Sequence, residues 1–522
     1  MYRKENRIDI DAKWYCDIIP IKEVIERSMP MECFVGIDLG TSSVRAVAVD
    51  ENGNTLAIGQ CEYDIMKPEL NQAEQDMEQL WKATIQAIRQ MLENGEGIKE
   101  KIRGISYSGQ MHGLVMLDAE NKPIRNAIIW ADQRTGKEIE KIYQVVSQEE
   151  FKNIYCNRLS AGFLLPSLVW IRDHEPENYE KIKKVLSPKD YIRYRMCGEL
   201  GTDASDASGT GMWDMKNRTW AFDLLNQLDI PKEFLADSHE SYEIAGEVTA
   251  ECAKQTGLKP GIAVAYGGGD SLMMELGNGM IKRGYMASTI GTACHLTCAL
   301  DEPVYDPLLR TNTWCHGGES LWSIMGAHLS GGIALKWLKN NVLEYNSFDE
   351  MTAEASTVPA GSEGVLFLPY LNGERTPHND PDAKAVYLGL TLKHKKAHII
   401  RSTMEGVVYS MKESYSIFQS LGISSDRIIA AGGGAKSELF RQIQADMYNC
   451  PIYTNKGKEQ ASIGAAMTVA VGCGVFKDYE EACASMVHLN QEITEPDPEN
   501  VKRYNEEFLR FKEIYAANKS LF

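Results

Sequence analysis

The apolar positions of this chain change period along its length, and each change marks an element. Residues 34–39 form an apolar run interrupted only by Asp38, and residues 44–49 form a second run interrupted only by Arg45. Between them stands Gly40-Thr41-Ser42-Ser43, so two strands joined by a tight, hydroxyl-rich turn are expected. Asp50-Glu51-Asn52-Gly53 carries turn chemistry and places a third strand at about 55–62. Met77, Leu80, Trp81, Thr84, Ile85, Ile88, Met91 and Leu92 then recur on one helical face, and residues 102–106 return as an apolar strand. A similar order recurs in the second half. Residues 287–290 end in Gly291-Thr292 and return through 295–299, with further strands at 322–326 and 365–368, a helix near 398–419 and a strand at 427–431.

Three antiparallel strands, a helix and another strand is the core order of ribonuclease-H-like domains in actin-like ATPases. The fold class expected is therefore α/β, with two such domains and an active-site cleft between them. The first would span 31–278, the second 279–522, and residues 1–30 would form an N-terminal extension outside the pattern, dispensable for folding and activity. At 522 residues the chain is long enough for two large cores. Its 55 Lys and Arg against 73 Asp and Glu give −18, which argues against nucleic acid or an anionic membrane as main partner. No apolar run reaches the roughly 18–20 residues of a bilayer span. Twelve cysteines without paired metal-ligand spacing, Cys294 and Cys298 included, fit packed thiols in a reducing cytoplasm.

The candidate chemistry stands at strand ends. Gly36 and Gly40 are expected to let the backbone turn so that N–H groups converge on an anion, with hydroxyls from Thr41, Ser42 and Ser43 and a cation from Arg45. Asp38 beside such a cradle suits a divalent metal, because Mg²⁺ is held by carboxylates, water and phosphate oxygens. Gly109-Gln110-Met111-His112-Gly113 follows a strand directly, where open α/β sheets bind ligands. Residues 128–130 read as a strand running into Ala131-Asp132-Gln133-Arg134, a polar set weighed evenly against a solvated loop. In Val264-Ala265-Tyr266-Gly267-Gly268-Gly269-Asp270-Ser271, the glycines would let a substrate approach, and Asp270 is favoured as a general base over a helix cap. Residues 201–210, rich in small side chains, read as close structural packing. Gly432-Gly433-Gly434 before a helix adds a weak nucleotide signal, strengthened by the paired Gly-Thr turns.

Together these stretches resemble the FGGY carbohydrate kinases. The carrying segments are 36–46, 109–113, 186–195, 268–270, Phe367-Leu368-Pro369-Tyr370-Leu371-Asn372-Gly373-Glu374-Arg375-Thr376-Pro377-His378, Leu388-Gly389-Leu390 on to His398 and Glu405, and 432–441. The resemblance implies phosphorylation of a small-molecule sugar by ATP with Mg²⁺, D-xylulose being the expected acceptor. Another ketose or polyol such as ribulose, or a non-kinase actin-like ATPase, stands as the alternative. It gives Asp270 the role of base, Asp38 the metal, and Thr41, Ser42, Arg45, Gly291 and Thr292 the ATP phosphates. Gly433 and Gly434 would face the adenosine with Trp337 nearby, and Met111, His112, Asp132 and Ser271 the sugar. Three positions depart from the family pattern: Ser271 and Ala131 replace Asn, and Ser167 replaces Lys. The oligomeric state, a homodimer among the options, is left open by the sequence.

Overall fold

The computed structural model describes residues 32–522; the expected extension over 1–30 lies outside them. Strands β1 (Cys33–Leu39), β2 (Ser43–Asp50) and β3 (Thr55–Glu62) form an antiparallel meander, closed at the first turn by Gly40 N–H donating to Ser43 O at 3.0 Å. Helix α1 (Met77–Asn94) starts where Asp76 accepts the amides of Glu78 and Gln79. It buries Leu80, Trp81, Ile88 and Met91, and so carries the chain over to β4 (Ile102–Gly109), which lies parallel to β1. Beyond β4 come β5 (Ile244–Glu247), β6 (Ala263–Ala265) and β7 (Gly268–Gly269), giving the order β5-β6-β4-β1-β2-β3 with β7 on the end of β4. Every β1 residue but Asp38 is buried, as a central strand covered on both faces requires.

The second sheet repeats this plan. It contains β8 (Met286–Ile290), β9 (Cys294–Leu300), β10 (Asn312–Cys315), β11 (Trp322–His328), β12 (Ile428–Gly432) and β13 (Ile452–Thr454), in the order β10-β11-β9-β8-β12-β13. Strand β8 has an antiparallel neighbour, β9, and a parallel one, β12, as β1 has β2 and β4. The two ribonuclease-H-like sheets expected from the element order are present. Cys294 and Cys298 are buried free thiols on β9. Among the described residues no helix is long and apolar enough to cross a membrane.

Helices α2 (Pro188–Cys197) and α3 (Asp270–Gly277) belong to the first half, and α4 (Gly332–Trp337), α5 (Lys396–Ser420) and α6 (Glu438–Tyr448) to the second. The late helix α7 (Gln460–Gly472) crosses back. It packs on α3 and on the β1–β4 face of the first sheet, where Ile463, Met467 and Val469 join Phe34, Val47 and Met273 in one core. The approach is close enough that a Cβ on Gly464 would lie 1.9 Å from Met273 O, and one on Gly36 1.9 Å from Ser462 O. This corrects the reading of Gly36: it sits inside a regular strand and makes room for a helix, while the turn belongs to Gly40. The strand expected over 128–130 is shorter, Ala127–Ile128, since Trp130 leaves the sheet and donates its indole N–H to Thr41 Oγ1 at 3.1 Å.

Candidate active site

Strand register assembles the acids. Asp38 on β1 pairs with Ser108 on β4, and Ser108 pairs with Gly268 on β7. Asp38 and the Gly269-Asp270 turn therefore flank the carboxyl end of β4, one strand to each side. Ser108 Oγ donates to Asp38 Oδ1 at 2.8 Å, and Asp270 Oδ1 accepts the Ser271 amide at 2.7 Å. Asp270 is the first residue of α3 rather than its cap, a position Gly269 takes. Burial, and after it the charge of Asp38, pushes the Asp270 carboxyl up to about 7. Burial also raises Asp38, against the opposing pull of Ser108 and Arg45. Two such carboxylates gain from sharing a proton or a cation.

The turn that carries Asp270 is supported from behind by a charged core. Lys189 Nζ lies 2.6 Å from Asp190, 2.9 Å from Asp203 and 3.6 Å from Asp206, and donates to Tyr266 O at 3.2 Å. The ammonium stands where a metal ion among these three acids would otherwise sit. Asp203 accepts the Ser205 hydroxyl, and Ser205 Oγ accepts the Gly269 amide at 3.0 Å, so the network ends one residue before Asp270. Residues 201–210, expected to be structural packing, supply half of it. The glycines before Asp270 meet protein rather than substrate, a correction: a Cβ on Gly269 would lie 2.7 Å from Met111 Cγ.

Met111 and His112 stand two and three residues past the end of β4. Ser271 Oγ approaches Met111 Sδ at 3.5 Å, which packs this pair beside the Asp270 turn. His112 adopts φ 76°, and its Nδ1 lies 2.6 Å from Gly209 O. Since a carbonyl only accepts, Nδ1 carries the proton. Its ring stacks on Phe163 at 4.1 Å and tilts against Trp314 at 5.4 Å, two neighbours that no local motif marked. Burial pushes its pKa down to about 4, so the neutral ring presents Nε2 as an acceptor. Asp132 stands differently from its expected role. It is fully buried, with Oδ2 accepting the Ala73 amide at 2.7 Å and Arg134 bonded to both oxygens, so its carboxylate is spent within the protein. Ser167 is buried inside the helix Leu164–His174, with a hydroxyl that has no protein partner among the described residues.

Thr41 and Ser42 occupy the β1–β2 turn as expected. Arg45 is drawn instead to Glu459 at 2.5 Å, the residue before α7, and to Gln60 at 3.0 Å. In the second sheet Ile290 is in register with Gly432, so the turns after β8 and β12 open side by side. Gly291, Thr292, Gly433 and Gly434 line one cavity of about 440 Å³ together with Ile333, Lys336, Phe348, Lys436 and Phe440. Apolar walls with two lysines suit a nucleotide in shape and charge. Trp337 does not line this cavity; it packs half-buried on the second core, while Phe348 and Phe440 supply the aromatic walls.

The domain models of this architecture match most of the chain. The N-terminal domain model of the FGGY family of carbohydrate kinases covers 33–277, and the C-terminal model covers 286–473. The chain belongs to the FGGY family of carbohydrate kinases. A xylulose kinase from Bacillus subtilis is 34% identical over 491 residues, spanning 94% of this chain and 98% of that one. A gluconokinase from the same organism is 30% identical over 485 residues, spanning 90% and 93%. The crystal structure of ligand-bound xylulose kinase from Lactobacillus acidophilus superposes with a TM-score of 0.88 at 26% identity, covering 94% of this chain and 99% of that chain. As an FGGY kinase the protein transfers a phosphoryl group to a carbohydrate.

Proposed function

We propose that this FGGY kinase phosphorylates D-xylulose from ATP, giving D-xylulose 5-phosphate and ADP. One observation carries the assignment of roles: Asp270, held near neutrality, stands beside the Met111–His112 pair on one side and the Asp38 carboxylate on the other. A base with a pKa near the working pH accepts a proton without being permanently protonated. In this reading the primary hydroxyl of the sugar lies against Asp270, with His112 Nε2 accepting a neighbouring hydroxyl. The hydroxyl proton passes to Asp270 Oδ as the sugar oxygen bonds to the γ-phosphorus. The bond from that phosphorus to its bridging oxygen breaks, and its electron pair leaves with ADP. The 440 Å³ cavity holds the adenosine, Gly291 and Thr292 cradle the phosphates from the second sheet, and Thr41 and Ser42 meet them from the first.

Enzymes of this family use ATP, typically with Mg²⁺. The raised carboxyls of Asp38 and Asp270 fit a divalent cation, which would offset the Asp38 charge that, after burial, raises Asp270. Asp38, with water and phosphate oxygens, would hold Mg²⁺, which when bound neutralises phosphate charge. A second reading, phosphorylation of gluconate, is favoured by the likeness to a gluconokinase. Sugar-dependent ADP release across D-xylulose, D-ribulose, gluconate and glycerol separates these. The highest kcat/KM on D-xylulose is expected; a maximum on gluconate overturns the sugar, and ADP release independent of any sugar overturns the kinase reading.

A further inference from the structure

Arg375 differs from the half-buried and buried arginines. Arg134, Arg193, Arg218, Arg310 and Arg401 each spend the guanidinium on a carboxylate or carbonyl of the protein. The Arg375 guanidinium has no hydrogen bond or ion pair among the described residues and the residue is exposed to solvent, yet its backbone is fixed from both sides. Glu374, fully buried, accepts the Leu329 amide at 2.9 Å, the Arg375 amide at 2.7 Å and the Ser410 hydroxyl at 3.2 Å. Thr376 N–H donates to Ala327 O at 3.0 Å, and its hydroxyl donates to Arg310 O at 2.8 Å and accepts the Ala327 amide at 3.1 Å. A flexible chain of carbons thus rises from a rigid base with its charge uncommitted.

The base stands beside the phosphate turn. Strand β11 ends at His328 opposite Cys294, two residues past Thr292, and Gly331 N–H donates to Thr292 O at 3.1 Å. Arg375 is therefore anchored at the edge of the Gly291–Thr292 turn. Its charge reaches the other half: after burial, the positive charge of Arg375 is one of the causes that lower His112. Every other cation described here that could meet the transferring group is engaged or set apart. Arg45 is held by Glu459, His112 is neutral, and Lys336 and Lys436 line the nucleotide cavity.

We propose that Arg375 is the cation contributed by the second domain to the phosphoryl group in transit, binding its non-bridging oxygens between ATP and sugar. The proposal rests on the reading that the acceptor hydroxyl lies between Asp270 and His112. The arginine keeps its protons throughout; it donates N–H bonds to oxygens whose charge the sugar alone does not carry. It should accordingly bind the phosphorylated product and leave the neutral sugar unaffected. A planar fork suits two oxygens of one phosphoryl group, which a lysine meets with only a point charge.

The test uses the full chain with Arg375→Gln and Arg375→Lys. Melting temperatures close to wild type are expected, because the guanidinium supports nothing in the fold. With the preferred sugar, kcat should fall about 10²–10³-fold in R375Q, as for loss of one preorganised donor to developing charge. The KM for that sugar should stay within about threefold, and R375K should recover about tenfold of the loss through its point charge. By calorimetry, affinity for D-xylulose 5-phosphate should drop in R375Q while affinity for D-xylulose stays put. A kcat within twofold of wild type, or equal loss of sugar and product affinity, overturns the proposal. A loss confined to the KM of gluconate would also overturn it, since the arginine would then read a substrate carboxylate. Wild-type protein inactive on every sugar sinks the functional reading instead, a pattern distinct from an active wild type with an unaffected R375Q.

Discussion

Replacing Asp270 by Asn should cost activity and add stability, and the two effects share one cause. The asparagine side chain would keep the shape and the acceptor for the Ser271 amide at 2.7 Å, but it holds no ionisable proton site. Turnover should fall about 10²–10⁴-fold. The folded-state pKa of about 7 exceeds the unfolded value of 3.8, so the native protein binds the extra proton between these limits. Stability contributed by this group is therefore fully present only well below the unfolded value of 3.8 and is lost progressively as pH rises to about 7. A shift of that size corresponds to about 4 kcal/mol at pH 8, an upper figure because the side chain is not wholly sealed from water. D270N escapes the penalty, so its advantage should be about 1 kcal/mol at pH 4.5 and grow to about 4 kcal/mol by pH 8. For a unit the size of the first domain, that is a rise in melting temperature on the order of 10 °C. Calorimetric scans of both proteins at pH 4.5, 6 and 8 measure it, alongside the kcat/KM profile, whose acid limb should bend near pH 7 in the wild type. An Asn variant no more stable at pH 8, or one whose advantage is independent of pH, refutes the reasoning.

Ser271→Asn places an amide where a hydroxyl touches Met111, and should widen the preference for D-xylulose over D-ribulose about threefold to tenfold. Ala131→Asn should leave that kcat/KM ratio unchanged, because the adjacent Asp132 is already committed to Arg134; a shift there counts against the reading. Gly464→Val forces a Cβ to within 1.9 Å of Met273 O and should cost more than about 3 kcal/mol, read as a lower melting temperature or insoluble protein. Gly136→Ala, with nothing within 4 Å of its added Cβ, should melt as the wild type does. Sugar and an ATP analogue together should reduce the radius of gyration in small-angle scattering, since the Thr41 and Thr292 turns belong to different sheets and the proposed function has both meet one nucleotide; an unchanged radius at saturation removes closure as a required step.

Much of the candidate site's placement in the fold was legible because its signals are local. Asp38 and Asp270 stand out as acids at the tips of apolar strands, and Gly291-Thr292 and Gly433-Gly434 as turns before return elements. Each such motif fixes its own backbone, and sheet register then brings the motifs together. What escaped depends on contacts between distant parts of the chain. Arg45 reads as a phosphate ligand until Glu459 arrives from the other end of the sequence. Gly36 reads as a turn until α7 is laid against it. Asp132 is spent by Arg134, only two residues on, but through the fold of Ala73 and Glu74 against the same loop. Trp337 lies next to Lys336 in sequence, yet the helix turns the lysine towards the cavity and the indole towards the core.

The return of α7 to the first sheet also has a consequence for synthesis. The apolar face formed by Phe34, Val47 and Val49 is completed only by Ile463, Met467 and Val469, which leave the ribosome after nearly all of the second domain. At 5–20 residues per second, that surface waits roughly 10–40 s for its cover. A nascent first domain therefore exposes a sticky sheet face for that interval, and a polypeptide cut after residue 278 exposes it permanently. Chaperone binding during translation and aggregation of the severed N-terminal half follow from the same geometry that lets one helix couple the two domains.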